Sequence, residues 1–186
     1  MTEPGGESFD KFRSYLRLMA NMQIDRRVRS KVDASDIVQQ TMLQAHKARE
    51  QFRGENDAQR AAWLRQILVR NLHHATRDMT RDKRDVRREQ SMQAAAEQSS
   101  MRLERLLSND ESTPSMKVQR GENLLQMARA IEELPEAQRE ALILHYLEQK
   151  TMQEIAEELG KTRGAVAGLV RRGLAALREF FGEASE

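Results

Sequence analysis

The stretch TMQEIAEELGKTRGAVAGLVRRGLAAL, residues 151 to 177, predicts two helices joined by a tight corner. Thr151 and Glu154 have the spacing of a capping box, in which each side chain accepts a hydrogen bond from a backbone N–H at the helix start. Gly160 suits the left-handed position that ends this helix, and Thr162 can cap the next helix after a very short turn. Helices joined this closely are expected to cross steeply.

The second of these helices has two unlike faces. Apolar positions recur at steps near 3.6 residues on one side: Val166, Val170, Gly173, Leu174, Leu177 and Phe181. The other side is basic, with small residues between: Gly168, Arg171, Arg172, Ala175 and Arg178. An acid there would repel phosphate, whereas small side chains let a helix approach the major groove of DNA. Plain helical hairpins also combine these features, so this piece alone leaves both interpretations open.

The composition favours helices throughout the chain. Only 39% of the 186 residues are hydrophobic and 4% aromatic, and helix formers such as Ala, Leu, Met, Gln, Glu and Arg are abundant. No alternating strand pattern or internal repeat appears. The length fits one ordinary domain or two small ones. We predict an all-α protein made of two small helical domains.

The net charge of +2 hides a segregation along the chain. Residues 1–92 carry 19 Lys and Arg against 13 Asp and Glu, residues 93–160 carry 7 against 13, and residues 161–186 carry 5 against 3. Two basic regions separated by an acidic one favour a polyanion that is contacted twice. Solvated helix faces are the alternative explanation of the same charges.

The first domain is predicted over residues 8–90. A helix from Phe9 to about Lys31 is expected first, and Asp33 with Asp36 three residues later predicts the cap of a second helix. A loop follows at residues 52–57, FRGEND, because Gly, Asn and Asp favour turns and caps. Trp63 lies among Leu64 and Ile67 in a third amphipathic helix, so we expect it to pack in the core.

A Ser- and Gln-rich segment separates the two domains. Residues 91–121 are predicted to be a flexible linker with one short amphipathic piece at 103–107. The second domain is predicted over residues 122–182 as four helical segments, at about 122–134, 135–148, 151–159 and 162–181. Pro135 suits a first helical position, where its missing N–H costs nothing.

Several classes of function find no support in the residues. The chain has no cysteine, no apolar run near the roughly 20 residues that span a bilayer, and no signal-peptide core, so we expect a cytoplasmic protein without a membrane partner. Adjacent His73 and His74 point about 100° apart on a helix and do not readily share a metal. We therefore predict no enzyme activity, no metal and no cofactor.

Two separate motifs resemble one known family. The string LPEAQREALILHYLEQKTMQEIAEELGKTRGAVAGLVRRGLAALREF resembles the C-terminal DNA-binding domain of bacterial sigma factors of the extracytoplasmic-function group. DASDIVQQTMLQAHK and FRGENDAQRAAWLRQILVRNL resemble their N-terminal domain, and the two motifs stand in the same order around a variable linker. The phrases FRG, AWLRQIL and RDVRRE resemble the version common in planctomycete bacteria.

The resemblance implies a factor that binds core RNA polymerase, directs it to a promoter and helps to melt the duplex. Its region 2-like and region 4-like domains would contact the polymerase clamp coiled coil and the flap. The residues implied for polymerase binding are Asp33, Asp36, Ile37, Val38, Gln39 and Gln40. For Ile37 and Val38, ordinary core packing is the alternative. An anti-sigma factor is a further candidate partner that the sequence does not decide.

The same resemblance implies two DNA sites. For the promoter element nearest the start site, where a base of the melted strand is captured, it indicates Phe52, Arg53, Gly54, Asn56, Asp57, Arg60, Arg65, Asn71 and Arg77. For the more distant element it indicates Thr162, Arg163, Ala165, Ala167, Gly168, Arg171 and Arg172. Ala167 and Leu169 stand where many relatives carry Lys and Arg, so the preferred DNA sequence stays open.

One alternative function accounts for part of the chain. A helix-turn-helix regulator that acts without stable polymerase binding would explain residues 124–181. It would leave the basic N-terminal domain and its capped second helix without a role. Assembly with core polymerase distinguishes the two functions.

Overall fold

The computed structural model describes residues 9–24, 32–80, 86–107 and 116–183. Every regular element in these residues is helical and none is a strand, which confirms the predicted all-α class. The chain divides into two compact units, Met1–Ala96 and Glu97–Glu186.

Three helices pack together in the first unit, which also contains the start of a fourth helix. They are α1 (Arg13–Gln23), α2 (Ala34–Lys47) and α3 (Asp57–Thr80), and each packs against the other two. A 3-10 turn at Phe9–Phe12 precedes α1, and a second one at Arg49–Gln51 follows α2. The core is apolar at helical spacing in each element, with the following buried residues among its largest: Phe12, Tyr15, Leu16, Met19, Leu64, Leu68 and Leu72.

The next helix differs from the sequence-based expectation. Residues 86–107 form one continuous helix, α4 (Val86–Leu107), and the division between the two units falls within it. Most of the predicted linker at 91–121 therefore lies in α4 or at the start of α5, while residues 108–115 lie outside the described part. Small side chains account for the difference, because Ala96, Ser99 and Ser100 are buried with Leu103 although they give almost no apolar signal.

The second unit contains the end of α4 and four further helices. These are α5 (Met116–Glu133), α6 (Glu136–Leu142), α7 (Met152–Leu159) and α8 (Arg163–Glu183), and α6 continues into a π-helical turn at Ile143–Leu147. Pro135 is the residue just before α6 instead of its first helical residue. The long helix α8 packs against α5, α6 and α7, so the other helices hold it from one side.

The corner between α7 and α8 has the predicted chemistry. Thr151 and Glu154 form both hydrogen bonds of the capping box, and Gly160 ends α7 with φ of 62°. The Thr162 hydroxyl accepts from the Ala165 N–H at 3.2 Å, so it caps α8. These contacts fix where α8 begins and which of its sides points outward.

Gly173 lets α8 lie close to α6. An ideal Cβ on this glycine would be only 2.7 Å from Leu142 Cδ1. Gly173 is buried, as are Val166, Val170 and Leu177 on the same side of α8. The inward side predicted from the 3.6-residue spacing is thus confirmed at these four positions.

Candidate nucleic-acid interface

The outward side of α8 carries the residues that the sequence predicted for duplex DNA. We call this set the α8 surface: Thr162, Arg163, Ala165, Ala167, Gly168, Arg171 and Arg172. Six of the seven are exposed and Gly168 is half-buried. Gly164 is also exposed, and the first turn of the helix contains no acid. The positive end of the helix and its arginines therefore face solvent together, which suits a phosphate backbone.

Gly168 and Arg172 of the α8 surface lie against each other. An ideal Cβ on Gly168 would lie 3.2 Å from Arg172 Nη1, so the guanidinium of Arg172 folds back along the helix over Gly168. The missing side chain at 168 leaves room for this position. Arg172 can thus contact a phosphate near the middle of α8 while the backbone there approaches a groove.

Just before α7, a lysine is paired with two acids of the same unit. Lys150 Nζ contacts Glu158 at 2.7 Å and Glu148 at 2.9 Å. Burial alone would lower the pKa of Lys150, but hydrogen bonds and attraction from the two glutamates outweigh it and raise the pKa above 10.5. Lys150 is therefore a cation committed to the fold of the second unit.

The loop before α3 is a packed structure in which Phe52 is central. We call residues 52–57 the α3 loop. The Phe52 ring lies 5.3 Å from the Trp63 ring, and the Arg60 guanidinium lies over it at 5.1 Å. An ideal Cβ on Gly54 would clash with the same ring, so only glycine fits beneath it. Trp63 packs on the Phe9 and Phe52 rings, but it is half-buried, so it lies at the edge of the core and not within it as predicted.

The polar residues of the α3 loop are engaged in the fold. Asn56 accepts from the Gln59 N–H at 2.9 Å, which makes it a cap of α3. Asp57 contacts Arg60 at 3.2 Å and Lys11 at 2.8 Å. Of the loop residues predicted to bind DNA, Arg53 is the exposed cation. The structure brings Phe52, Gly54, Asp57 and Arg60 together around one ring.

Two predicted DNA-binding residues of α3 point into the bundle. Arg65 is 8% exposed and its Nη1 donates to Tyr15 Oη at 2.9 Å. Asn71 is 4% exposed and its amide donates to Thr41 Oγ1 at 3.1 Å. The assignment of Arg65 and Asn71 to the DNA surface is corrected accordingly, because the spacing of Leu64, Leu68 and Leu72 turns both residues inward.

The exposed side of α3 contains other polar residues. Gln66, Arg70 and His74 follow one another at four-residue steps and are exposed, in line with Gln59 at the helix start. The resemblance did not indicate these positions, although the helical period alone places them opposite the apolar side. Arg77 lies near the end of α3, and its side chain is outside the described part of the structure.

The predicted polymerase-binding residues divide into two groups. Asp33, Asp36, Gln39 and Gln40 are exposed, and Asp33 also caps α2 by accepting from the Ser35 N–H at 2.8 Å. Ile37 and Val38 are 5% and 1% exposed, so they belong to the core and are corrected as contact residues.

Leu43 was not predicted and is 56% exposed, seven residues after Asp36 on the same side of α2. An exposed leucine beside acids and amides is a typical apolar centre of a polar contact surface. We call Asp33, Asp36, Gln39, Gln40 and Leu43 the α2 surface.

No described helix joins sufficient length to sufficient apolarity to cross a bilayer. Within the described ranges, no three His, Asp or Glu side chains converge as a metal site would require.

Comparisons with known families agree with both units. Residues 12–82 match the family model for sigma-70 region 2, and residues 124–177 match the model for sigma-70 region 4. No curated protein was found to match the chain. The two matched segments together make up more than half of the sequence and lie in separate units. The first includes α1 to α3, and the second includes α6, α7 and most of α5 and α8. The chain therefore belongs to the sigma-70 family, whose members recognise promoters for transcription.

Proposed function

We propose that this chain is a sigma factor of the extracytoplasmic-function group that binds core RNA polymerase and directs it to promoters. The observation that carries the proposal is the pairing of region 2 and region 4 on one chain with an acid-free, outward α8 surface. Region 4 would read the more distant promoter element through α8. Region 2 would hold the element nearest the start site.

The α8 surface supports duplex recognition by its charge and shape. Arg171 and Arg172 are exposed and flexible enough to reach phosphates or guanine edges. Ala165, Ala167 and Gly168 add little side-chain bulk on the same side of α8, so the helix can enter a major groove. Weak binding by either unit is compatible with tight promoter binding, because the polymerase would hold both units at once.

The α3 loop and the exposed side of α3 support binding of a melted strand. Arg53 in the loop and Arg70 on α3 supply exposed positive charge, while Gln59 and Gln66 offer amides to base edges. Arg65 and Asn71 act through the bundle by holding α3 against α1 and α2. We propose Arg53, Gln66 and Arg70 as strand contacts in their place.

The α2 surface supports docking on the polymerase clamp coiled coil. Asp36 supplies exposed negative charge, Gln39 and Gln40 supply hydrogen-bonding groups, and Leu43 supplies an apolar contact at the centre. The flap would bind the second unit. We further propose that the factor works in the cytoplasm and makes or breaks no covalent bond itself. The likeness to planctomycete factors and the binding of an anti-sigma factor stay predictions.

Assembly with purified core polymerase tests the proposal. The wild-type chain should bind with one-to-one stoichiometry in gel filtration. Leu43→Lys should weaken binding by about tenfold or more, because burying a leucine side chain contributes roughly 1.5–3 kcal/mol and about 1.4 kcal/mol corresponds to a tenfold change in Kd. Gln90→Lys is the matched control, because Gln90 is exposed on α4, outside the α2 surface. A chain that binds duplex DNA but never assembles with polymerase would be a regulator of the helix-turn-helix type instead.

A further inference from the structure

We propose that the N-terminal turn Phe9–Phe12 positions the α3 loop for promoter melting, with Phe9 and Lys11 as positioning residues. The inference rests on the proposed role of the α3 loop in holding melted DNA. Phe9 and Lys11 precede residue 12, where the match to sigma-70 region 2 begins. The family match therefore does not assign them a role.

Phe9 joins the aromatic groups of three elements. Its ring lies 5.0 Å from His46 near the end of α2, in an edge-to-face arrangement, and 6.0 Å from Trp63 on α3. Trp63 in turn contacts Phe52 in the α3 loop. Phe9 is 7% exposed, so its side chain is buried against these rings and does not lie on the surface. We call Phe9, His46, Trp63 and Phe52 the row of rings. Aromatic pairs of this kind hold their elements in fixed relative positions.

Lys11 acts on the charge of the α3 loop. Its Nζ contacts one carboxylate oxygen of Asp57 at 2.8 Å, while the other oxygen faces Arg60 Nη1 at 3.2 Å. The Asp57 side chain is only 12% exposed, between its two cations. Without Lys11, a less balanced carboxylate would stand beside the path of the DNA phosphates and repel them. Lys11 thus makes the local charge favourable for a polyanion.

The same contacts hold the Phe52 ring in place beneath Arg60. Asp57 orients Arg60, Arg60 covers Phe52, and Phe52 fills the space that Gly54 leaves open. A change at Lys11 therefore reaches the loop that presents Arg53, although Lys11 itself need not touch DNA. This relay distinguishes a positioning residue from a simple basic contact.

Transcription from two kinds of template tests the inference. On a duplex promoter with core polymerase, Lys11→Met should lower open-complex formation by about three- to fivefold, the size expected for a partly buried ion pair. On the same promoter with the start region already unpaired, the deficit should fall below about twofold. Permanganate reactivity of unpaired thymines gives the melted fraction directly.

Arg13→Met is the matched control. Arg13 lies two residues away, and its partner Asp10 is exposed on the same turn, 3.2 Å from it. The substitution removes the same charge without reaching the α3 loop, so melting should stay within about 1.5-fold of wild type. Lys11→Arg should restore melting, because a guanidinium can also reach Asp57. Equal melting by Lys11→Met and Arg13→Met overturns the inference.

The single tryptophan supplies a second measurement. Trp63 is the only tryptophan in the chain, so its emission reports on the row of rings without labelling. Phe9→Leu should shift this emission and reduce melting on duplex DNA in the same way as Lys11→Met. Unchanged emission and melting in Phe9→Leu also overturn the inference. Failure of the wild-type chain to support transcription on either template would instead overturn the proposed function, and the inference with it.

Discussion

The side-chain amide of Asn71 donates to the hydroxyl oxygen of Thr41 across 3.1 Å, and the Thr41 hydroxyl donates to the Ile37 carbonyl at 2.8 Å. Both side chains are buried where α2 meets α3. The amide therefore joins α2, which carries the α2 surface, to α3, on which we propose contacts with the melted strand. A residue of the type often found on DNA is here part of the bundle.

Replacing Asn71 should reduce stability and have no direct effect on DNA affinity. Asn71→Ala leaves the Thr41 oxygen without its donor and opens a small cavity, so the free energy of unfolding should fall by about 1–3 kcal/mol. Urea unfolding measures this free energy. The exposed neighbour Arg70 is the control, and Arg70→Ala should change stability by less than about 0.5 kcal/mol. A stable Asn71→Ala protein that has lost strand binding would contradict the buried role.

Gly173 should tolerate no side chain. Gly173→Ala places a methyl group 2.7 Å from Leu142 Cδ1, and the resulting strain should lower the free energy of unfolding by about 1–3 kcal/mol. Gly164→Ala is the matched control on the same helix, because nothing lies within 4 Å of an added Cβ there. It should be neutral or stabilising by up to about 1 kcal/mol, since alanine favours helix. Equal destabilisation by both changes would show that α6 does not limit position 173.

Acid should weaken the capping box of α7. Hydrogen bonds from the Thr151 N–H and hydroxyl lower the pKa of Glu154 below 4.5. A lowered folded-state pKa means that the carboxylate stabilises the fold at pH above 4.5 and that this contribution is lost as the pH falls further, through the folded-state pKa. The stability difference between wild type and Glu154→Gln should therefore shrink from pH 7 to pH 3 in thermal unfolding.

Glu157 provides the control for the capping box. It lies on the same helix and accepts from Gln153 at 2.8 Å, but it takes no part in the cap. Glu157→Gln should have a smaller effect on stability at pH 7 than Glu154→Gln. The capping role is contradicted if the difference between wild type and Glu154→Gln is the same at pH 7 and pH 3.

Reversing the charge of the α8 surface should abolish promoter-directed transcription while leaving polymerase binding intact. Arg171→Glu with Arg172→Glu replaces two phosphate or base contacts by repulsion, and duplex affinity should fall with a salt dependence reduced by about two in slope. Fluorescence anisotropy at several salt concentrations gives both values. The double change Arg105→Glu with Arg129→Glu, at exposed positions of the same unit outside α8, should have far less effect. Unchanged transcript levels after reversal on α8 would mean that another face reads DNA.

The sequence predicted α7 and α8 well because their periodicity and end signals agree. Thr151, Gly160 and Thr162 each have a backbone role that few other residues fill, and the valines and leucines between them recur at one period. Local chemistry alone therefore determined the two helices and the outward side of the second. The matched segment at residues 124–177 agrees with that prediction.

Other parts were less predictable because polar residues lie at buried positions and an apolar residue lies at an exposed one. The resemblance assigned Arg65 and Asn71 to DNA, although both fall on the inward side of α3, where Arg65 donates to Tyr15 and Asn71 donates to Thr41. In α4, Ser99 and Ser100 are buried in a packed helix. Their polar side chains are typical of a linker, so the sequence predicted a linker there. Leu43 shows the opposite case, since an exposed leucine is indistinguishable from a core leucine until the neighbouring helices are placed.

Reconstituted transcription is the most direct test of the central claim. Purified chain and core RNA polymerase would be incubated with a library of genomic fragments, and the 5′ ends of the transcripts mapped. The account predicts start sites that core polymerase alone does not use, preceded by two shared sequence elements at fixed spacing, and loss of those starts with the Arg171 and Arg172 double change. Start sites identical to those of core polymerase alone would contradict it.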